Sequence, residues 1–139
     1  MPALDRILAL VDRLSPPRRV HAHCDLPCGV YDPAQARIEA DSVKACQEKY
    51  QGNEDATFRQ RAVLIKEQRA DLVKHHLSVL WTDYFKAPHF EAHPDLHQLF
   101  NDAGKAASAA KASNDPATGQ KLLDIIADID KIFWETKKA

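Results

Sequence analysis

Residues 23–35 have the sequence His-Cys-Asp-Leu-Pro-Cys-Gly-Val-Tyr-Asp-Pro-Ala-Gln. They contain a segment of candidate metal ligands, followed by the start of a helical domain. His23, Cys24 and Cys28 offer imidazole and thiolate groups, which are ligands that soft or borderline transition metals take. Three residues lie between the cysteines, so both sulfurs reach one ion only if the backbone folds back. The proline between them and the glycine after them permit such a turn. We therefore predict a small metal-binding hook over residues 23–31.

The helical domain begins directly after the hook. Asp32 is the predicted N-cap, Pro33 suits the first helical position, and Gln35 completes a capping-box pattern. We predict a first helix from Pro33 to about Tyr50, with Gly52 beyond its end.

Three further helices are predicted from apolar periodicity and from the positions of prolines. They run from about Ala56 to Phe85, from Pro94 through the alanine-rich run 106–112, and from Pro116, capped by Asp115, to about Thr136. Short connections make successive helices antiparallel. The sequence thus predicts an all-α fold, an up-and-down four-helix bundle over residues 33–136 that carries the hook at its N-terminal end.

Size and composition exclude several classes of protein. The chain has 139 residues, which suits one domain, and its net charge of −1 comes without a large basic block, so nucleic acid is not an expected partner. No apolar run approaches the roughly 18 residues that a transmembrane helix needs. Three cysteines, two of them clustered, do not form a disulfide framework and favour a reducing compartment or a metal.

Two inward-facing stripes each carry one charged residue. The apolar stripe of the first helix is predicted to consist of Val43, Cys46 and Tyr50, and Glu39 lies one turn before Val43. The predicted stripe of the second helix contains Arg69, and its apolar and histidine members are Phe58, Ala62, Ile65, Leu72, His76 and Val79.

An unpaired buried charge is costly. Glu39 and Arg69 therefore either pair with each other or flank a polar site, and the alternative is that each extends to solvent at the rim of the bundle.

Residues 1–22 differ from the rest of the chain. Their pattern predicts a short amphipathic helix, and they lack the uninterrupted apolar core of a secretory signal. Val20-His21-Ala22 has small or apolar residues at the first and third positions, as a processing site would. Cleavage after Ala22 would make His23 the N-terminus; the alternative is an N-terminal helix that stays attached.

A new N-terminus would add ligands to the hook. A free α-amine has a pKa of about 7.7 to 8.0, low enough for it to lose its proton to a metal. The amine of His23 and the deprotonated amide nitrogen of Cys24 would form a five-membered chelate, and the two thiolates would complete a planar set. Such a set favours nickel(II) or copper(II) over tetrahedral zinc, and the imidazole of His23 would be an axial ligand.

The other histidines and the third cysteine give weaker signals. His93 and His97 have the i, i+4 spacing of helical metal ligands, but no glutamate stands where a zinc protease needs one, so we interpret them as surface or capping residues, as we do His89. His75 and His76 are interpreted as reaching a polar core or a subunit interface. Cys46 is interpreted as a small buried hydrophobic residue. Five aromatic residues are interpreted as core or interface: Trp81, Tyr84, Phe85, Phe133 and Trp134.

The segment from His23 to Pro33 resembles the nickel-hook motif of nickel-containing superoxide dismutases. The resemblance extends over essentially everything after Ala22 and includes the runs Ala34–Glu39, Ile65–Arg69, Leu80-Trp81, Asp83–Lys86 and Asp130–Thr136. It does not extend closely to the leader, although the family has a leader that is removed. The resemblance implies a nickel-dependent superoxide dismutase.

The resemblance also implies roles for individual residues. The mature enzyme would span residues 23–139 and would bind one nickel ion per subunit through the amine and imidazole of His23, the amide and thiolate of Cys24 and the thiolate of Cys28. Glu39 and Arg69 would hold the His23 imidazole, and Tyr31 would guard the open face of the metal. The Leu26-Pro27 bond would be cis. The protein would form a cytoplasmic homohexamer after a processing protease removes the leader.

Three other functions are compatible with parts of the sequence. A non-enzymatic nickel or copper carrier would use the same hook, and a thiol redox protein would cycle Cys24 and Cys28 as a disulfide. An inert helical assembly subunit would leave the placement of the cysteines, Glu39 and Arg69 unexplained. Ligands alone do not separate the enzyme from the carrier, whereas consumption of superoxide does.

Overall fold

The structure is a computed structural model, and it describes residues 29–138. The leader and the three ligand residues His23, Cys24 and Cys28 lie outside the described residues. So does the Leu26-Pro27 bond, and the expected cis peptide there stays a prediction.

Four long helices and one short helix make up the described part of the chain. They are α1 (Ala34–Gln51), α2 (Ala56–Val79), α3 (Ala87–Ala92), α4 (Leu96–Ala112) and α5 (Pro116–Lys138), and a π-helical turn (Leu80–Tyr84) continues α2. Residues 29–138 contain no strand, so the all-α class is confirmed. None of these helices is long and apolar enough to cross a membrane.

The long helices pack as the predicted bundle. α1 packs against α2 and α5, and α4 packs against the same two helices from the opposite corner. Successive long helices are therefore neighbours around a square, which is the up-and-down arrangement. The buried core runs through all four, and its largest fully buried side chains include Phe133, Leu80, Leu96, Leu122 and Ile126.

Aspartates begin the helices where the sequence indicated. The Asp32 carboxylate accepts the amide N–H of Ala34 at 2.8 Å, and the Asp115 carboxylate accepts that of Ala117 at 2.9 Å. Each bond satisfies one of the backbone donors that a helix N-terminus leaves without an intrahelical partner. The third long helix begins at Leu96 rather than at Pro94, and the short helix α3 before it was not predicted.

The predicted inward stripe of α2 was correct at Ala62 and wrong at its larger apolar residues. The structure buries Ala62, Lys66, Ala70, Val73 and Leu77, whereas Phe58, Ile65 and Leu72 of the predicted stripe are more than a third exposed. Both sets have helical spacing, but the buried set is built on alanines. Small residues let α2 lie close to its neighbours, and this close packing places the larger apolar side chains on another face.

Two polar side chains in the core fix the loop between α4 and α5. Gln47 Nε2 donates to the carbonyls of Ala110 and Ser113 at 3.2 and 3.1 Å. Lys66 Nζ donates to the same Ser113 carbonyl at 2.7 Å and to Asn114 at 2.9 Å. Burial lowers the pKa of Lys66, and these acceptors replace the water that its amine has lost. The Gln47 amide and the Lys66 amine in turn supply hydrogen-bond donors to carbonyls at the end of α4.

We predict opposite effects on stability for alanine at two helical glycines. A Cβ at Gly119 would meet Gln47 Oε1, and Cα of Lys44 at 3.0 Å, whereas a Cβ at Gly104 would meet no heavy atom within 4 Å. Gly119→Ala should lower the free energy of unfolding, because overpacking costs about 1–3 kcal/mol. Gly104→Ala should raise it by roughly 0.5–1 kcal/mol, because alanine is the better helix former.

Urea denaturation of the two variants beside the wild type measures the difference. Equal or reversed effects would contradict the close approach of α1 and α5 at Gly119.

Candidate metal centre

An ion pair joins α1 to α2 at Glu39 and Arg69. Arg69 Nη1 lies 3.2 Å from Glu39 Oε2 and 3.3 Å from Oε1. The Glu39 side chain is 16% exposed and that of Arg69 is 42% exposed. The pairing, one of the alternatives that the sequence left open, is confirmed. It rests on the close packing of α1 and α2, the most extensive helix contact in the bundle.

The pair leaves Glu39 able to accept another hydrogen bond. An ionised carboxylate has about four lone-pair sites, and one guanidinium nitrogen occupies only part of them. The Glu39 carboxylate is largely shielded from water, and Arg69 already fixes its orientation. It is therefore suited to orient a ring N–H of an imidazole, as carboxylates do for histidines that bind metals.

Tyr31 lies just before α1 and contacts an aromatic residue at the end of α2. Its ring centroid is 5.6 Å from that of Tyr84, and it packs against the core. Gly29, two residues earlier, has φ of +71°, a conformation that glycine adopts readily. The glycine that the sequence marked thus adopts a left-handed conformation two residues before Tyr31 contacts the bundle.

Tyr84 contacts Tyr31, whereas the sequence assigned Tyr84 only to the core or an interface. Its hydroxyl lies 2.7 Å from Thr136 Oγ1, and Thr136 donates to the carbonyl of Phe133 at 2.6 Å. Since the single hydrogen of the Thr136 hydroxyl is used there, the Tyr84 hydroxyl is the donor to Thr136. The Tyr84 ring is held from two sides, by Tyr31 and by α5.

The π-helical turn sets the direction of Tyr84. Within it the amide of Phe85 donates to the carbonyl of Leu80, five residues back, at 3.0 Å. Such a turn carries one residue more than an α-helical turn, so it shifts the face that the following side chains occupy. No pattern of residue types in the sequence marks this turn, which is why the Tyr31–Tyr84 contact was not predicted.

The remaining candidate ligands do not form a metal site. His93 Nε2 lies 3.9 Å from Glu135, while His97 Nδ1 accepts from Trp81 Nε1 at 2.9 Å, so the two histidines serve different neighbours. Burial raises the pKa of the half-buried Cys46 thiol, which disfavours the thiolate that metals bind. Over residues 29–138 no three histidine, cysteine, aspartate or glutamate side chains are placed to hold an ion.

Comparison with known proteins decides the family. Residues 18–137 match the family model of nickel-containing superoxide dismutase. The chain is 72% identical over 131 residues to a superoxide dismutase [Ni] of Streptomyces coelicolor, a match that covers 94% of this chain and all of the relative. The chain belongs to the nickel-containing superoxide dismutase family. A superoxide dismutase [Ni] of Streptomyces seoulensis is 71% identical to the chain over 131 residues, and this match also covers 94% of the chain and all of the relative.

Solved structures of nickel superoxide dismutase share the fold. A native structure at 76% identity has a TM-score of 0.83 and covers 84% of this chain and all of the solved chain. Variants of the solved enzyme have also been determined, in which a histidine at its first position, an aspartate at its third and a tyrosine at its ninth are replaced.

We predict that the Glu39–Arg69 pair adds little to stability. Because Arg69 is 42% exposed, solvent screens the interaction, so a double-mutant cycle with Glu39→Gln and Arg69→Met should give a coupling energy below about 1 kcal/mol in urea denaturation. The exposed Arg37–Asp41 pair, at 3.1 Å, is the matched control and should give a similar small value. A coupling of about 3 kcal/mol or more would instead indicate a buried structural salt bridge.

Proposed function

We propose that this nickel-containing superoxide dismutase holds its metal in the hook and surrounds it with Glu39, Arg69 and Tyr31. The reaction converts two superoxide anions and two protons to dioxygen and hydrogen peroxide. Membership of the family, at 72% identity over the whole length of a relative named for this activity, is the observation that carries the function. The non-enzymatic carrier that the sequence left open is not favoured.

The hook supplies the donor set. The amine and imidazole nitrogens of His23, the amide nitrogen and thiolate of Cys24 and the thiolate of Cys28 would hold one nickel ion per subunit. Nickel so bound supplies one-electron redox chemistry, because two thiolates and a deprotonated amide are anionic donors that make its 3+ state accessible. The residues fit the metal, since nitrogen and thiolate groups are donors that nickel(II) would take.

Removal of residues 1–22 is part of the proposal, and two comparisons support it. The solved chain corresponds to 84% of this one, about 117 residues, which is the length from His23 to Ala139. The histidine, aspartate and tyrosine at its first, third and ninth positions have the same spacing as His23, Asp25 and Tyr31. An unprocessed His23 nitrogen is an amide and a poor ligand, so a protease would switch the site on.

Residues of the bundle would hold the His23 imidazole, and Tyr31 would control the access of the substrate. The Glu39 carboxylate would accept the ring N–H of His23, and Arg69, at 3.2 Å, would keep that carboxylate in position. Tyr31 would stand at the open face of the metal, where it would admit a small anion and hinder larger thiolate oxidants. Its contact with Tyr84 supports this placement, because it fixes the ring at the point where the hook joins the bundle.

We also propose a homohexamer in the cytoplasm. Large apolar side chains on the surface support association with further copies, and they include Ile38, Leu64, Phe58, Ile65 and Trp134, which are between 37% and 58% exposed. The ligand chemistry supports the cytoplasm as the location, because the two ligand cysteines must stay thiols until nickel binds and the cytoplasm is a reducing compartment. Sedimentation equilibrium of the processed protein measures the assembly.

Cleavage is predicted to be required for activity. The precursor with Ala22→Pro, which blocks processing, should keep the circular dichroism and unfolding transition of the bundle, yet consume less than a few per cent of the superoxide that the processed protein consumes. Stopped-flow decay of superoxide with nickel-loaded samples measures the activity of the precursor and of the processed protein. Full activity of protein that still begins at Met1 would refute the ligand role of the His23 amine, and an inactive processed protein would refute the function.

A separate prediction concerns one sulfur of the hook. Cys28→Ser should abolish dismutase activity, because one thiolate fewer leaves the 3+ state of the metal out of reach, while nickel still binds in a nitrogen- and oxygen-rich form. Metal analysis gives occupancy, and superoxide decay gives activity. Cys46→Ser is the matched control and should stay active, since that thiol lies between α1 and α2. Retained turnover in nickel-loaded Cys28→Ser would contradict the assignment.

A further inference from the structure

The substrate is an anion, and the net charge of the protein does not attract it. The chain has a net charge of −1, and removal of residues 1–22 takes away four arginines and two aspartates, which leaves 15 basic and 18 acidic side chains. Fast capture of an anion by a protein of that charge requires a local positive field near the site. The sequence does not say which lysine or arginine supplies it.

Several cations of the described chain already have carboxylate partners. Four of them lie within 4.0 Å of a carboxylate: Arg37 with Asp41, Lys44 with Glu48, Arg69 with Glu39 and Lys111 with Asp71. Lys86 Nζ donates to the main-chain carbonyl of Asp83 at 2.8 Å rather than to a carboxylate. A paired charge contributes little field at a distance, because its partner cancels it.

Lys137 differs from these cations. Its Nζ lies 5.0 Å from the ring centroid of Tyr84 and 5.4 Å from that of Phe133, so aromatic faces rather than a carboxylate hold it. No carboxylate among residues 29–138 lies within 4.0 Å of this nitrogen. Aromatic faces attract a cation without neutralising its charge. The positive charge of Lys137 therefore stays available to an approaching anion.

The position of Lys137 is tied to the proposed gate of the metal. The ring that it covers, Tyr84, contacts Tyr31 at 5.6 Å. The residue before it, Thr136, accepts the Tyr84 hydroxyl at 2.7 Å, which fixes the last turn of α5 against the π-helical turn. The ammonium group thus lies against the ring of Tyr84, in the aromatic cluster that contains Tyr31.

We propose that Lys137 is the residue that steers superoxide toward the Tyr31–Tyr84 pair. The inference rests on the proposed function, since it requires the metal to lie behind Tyr31. Lys137 acts through its field on the approaching substrate and takes no part in electron or proton transfer. In water, two unit charges about 8 Å apart interact strongly enough to change an encounter rate by about two- to threefold. Salt should remove the effect, because the Debye length falls from about 30 Å at 0.01 M to about 3 Å at 1 M ionic strength.

The test uses processed, nickel-loaded protein and the next residue as its control. Lys137→Gln and Lys138→Gln change the net charge equally, and both positions are exposed on the last turn of α5. Lys137→Gln should lower kcat/KM two- to threefold at low ionic strength and leave it unchanged at high ionic strength, while Lys138→Gln should have a clearly smaller effect. Lys137→Arg should restore the wild-type value, and Lys137→Glu should lower it further.

The outcomes separate the inference from the function that it rests on. Equal effects of Lys137→Gln and Lys138→Gln at every ionic strength would overturn the inference while the wild type remained active. A loss in Lys137→Gln that persists unchanged in high salt would also overturn it, since that result indicates a structural role. Wild-type protein that binds nickel and consumes no superoxide would overturn the proposed function and the steering role with it.

Discussion

Close packing of α1 against α2 is the constraint on which the rest of the structure depends. Buried alanines on both helices, at positions 36 and 40 of α1 and 62 and 70 of α2, leave little between the two backbones. Glu39 and Arg69 extend from these helices and meet at 3.2 Å because the helices approach so closely. Larger residues at the alanine positions would separate the helices and with them the carboxylate from its guanidinium. The alanines therefore set both the width of the bundle and the geometry of the pair.

A second set of contacts joins the two ends of the described chain. Tyr31 stands before the first helix, Thr136 stands in the last turn of α5, and Tyr84 contacts both. Tyr31 is in this way linked to the C-terminal helix through Tyr84. In the proposed function Tyr31 ends the hook, so this contact sets where the hook joins the bundle. The π-helical turn at the end of α2 is what directs Tyr84 to this position.

The sequence predicted the fold class, the four long helices and two of their aspartate caps, because these follow from local spacing and from proline positions. It also predicted the pairing of Glu39 with Arg69 as one of two alternatives, from the cost of burying a charge. It failed where packing decides between faces with equal periodicity. On α2 the larger apolar residues Phe58, Ile65 and Leu72 suggested the core, whereas alanines and Lys66 occupy it. The contact of Tyr31 with Tyr84 depends on a π-helical turn, and no residue type in the sequence marks such a turn.

The chain separates its stability from its redox chemistry. No group of metal-ligating side chains lies in the described bundle, and the proposed donors all belong to six consecutive residues, 23–28. A metal stabilises a fold only by the difference between its affinities for the folded and the unfolded chain. Ligands that are neighbours in sequence are also near one another when the chain is unfolded, so nickel at the hook adds little to the stability of the helices. This differs from structural zinc sites, where ligand residues come together only on folding and the metal is required for the fold. The bundle can therefore fold without nickel, and the proposed hook can receive the metal afterwards.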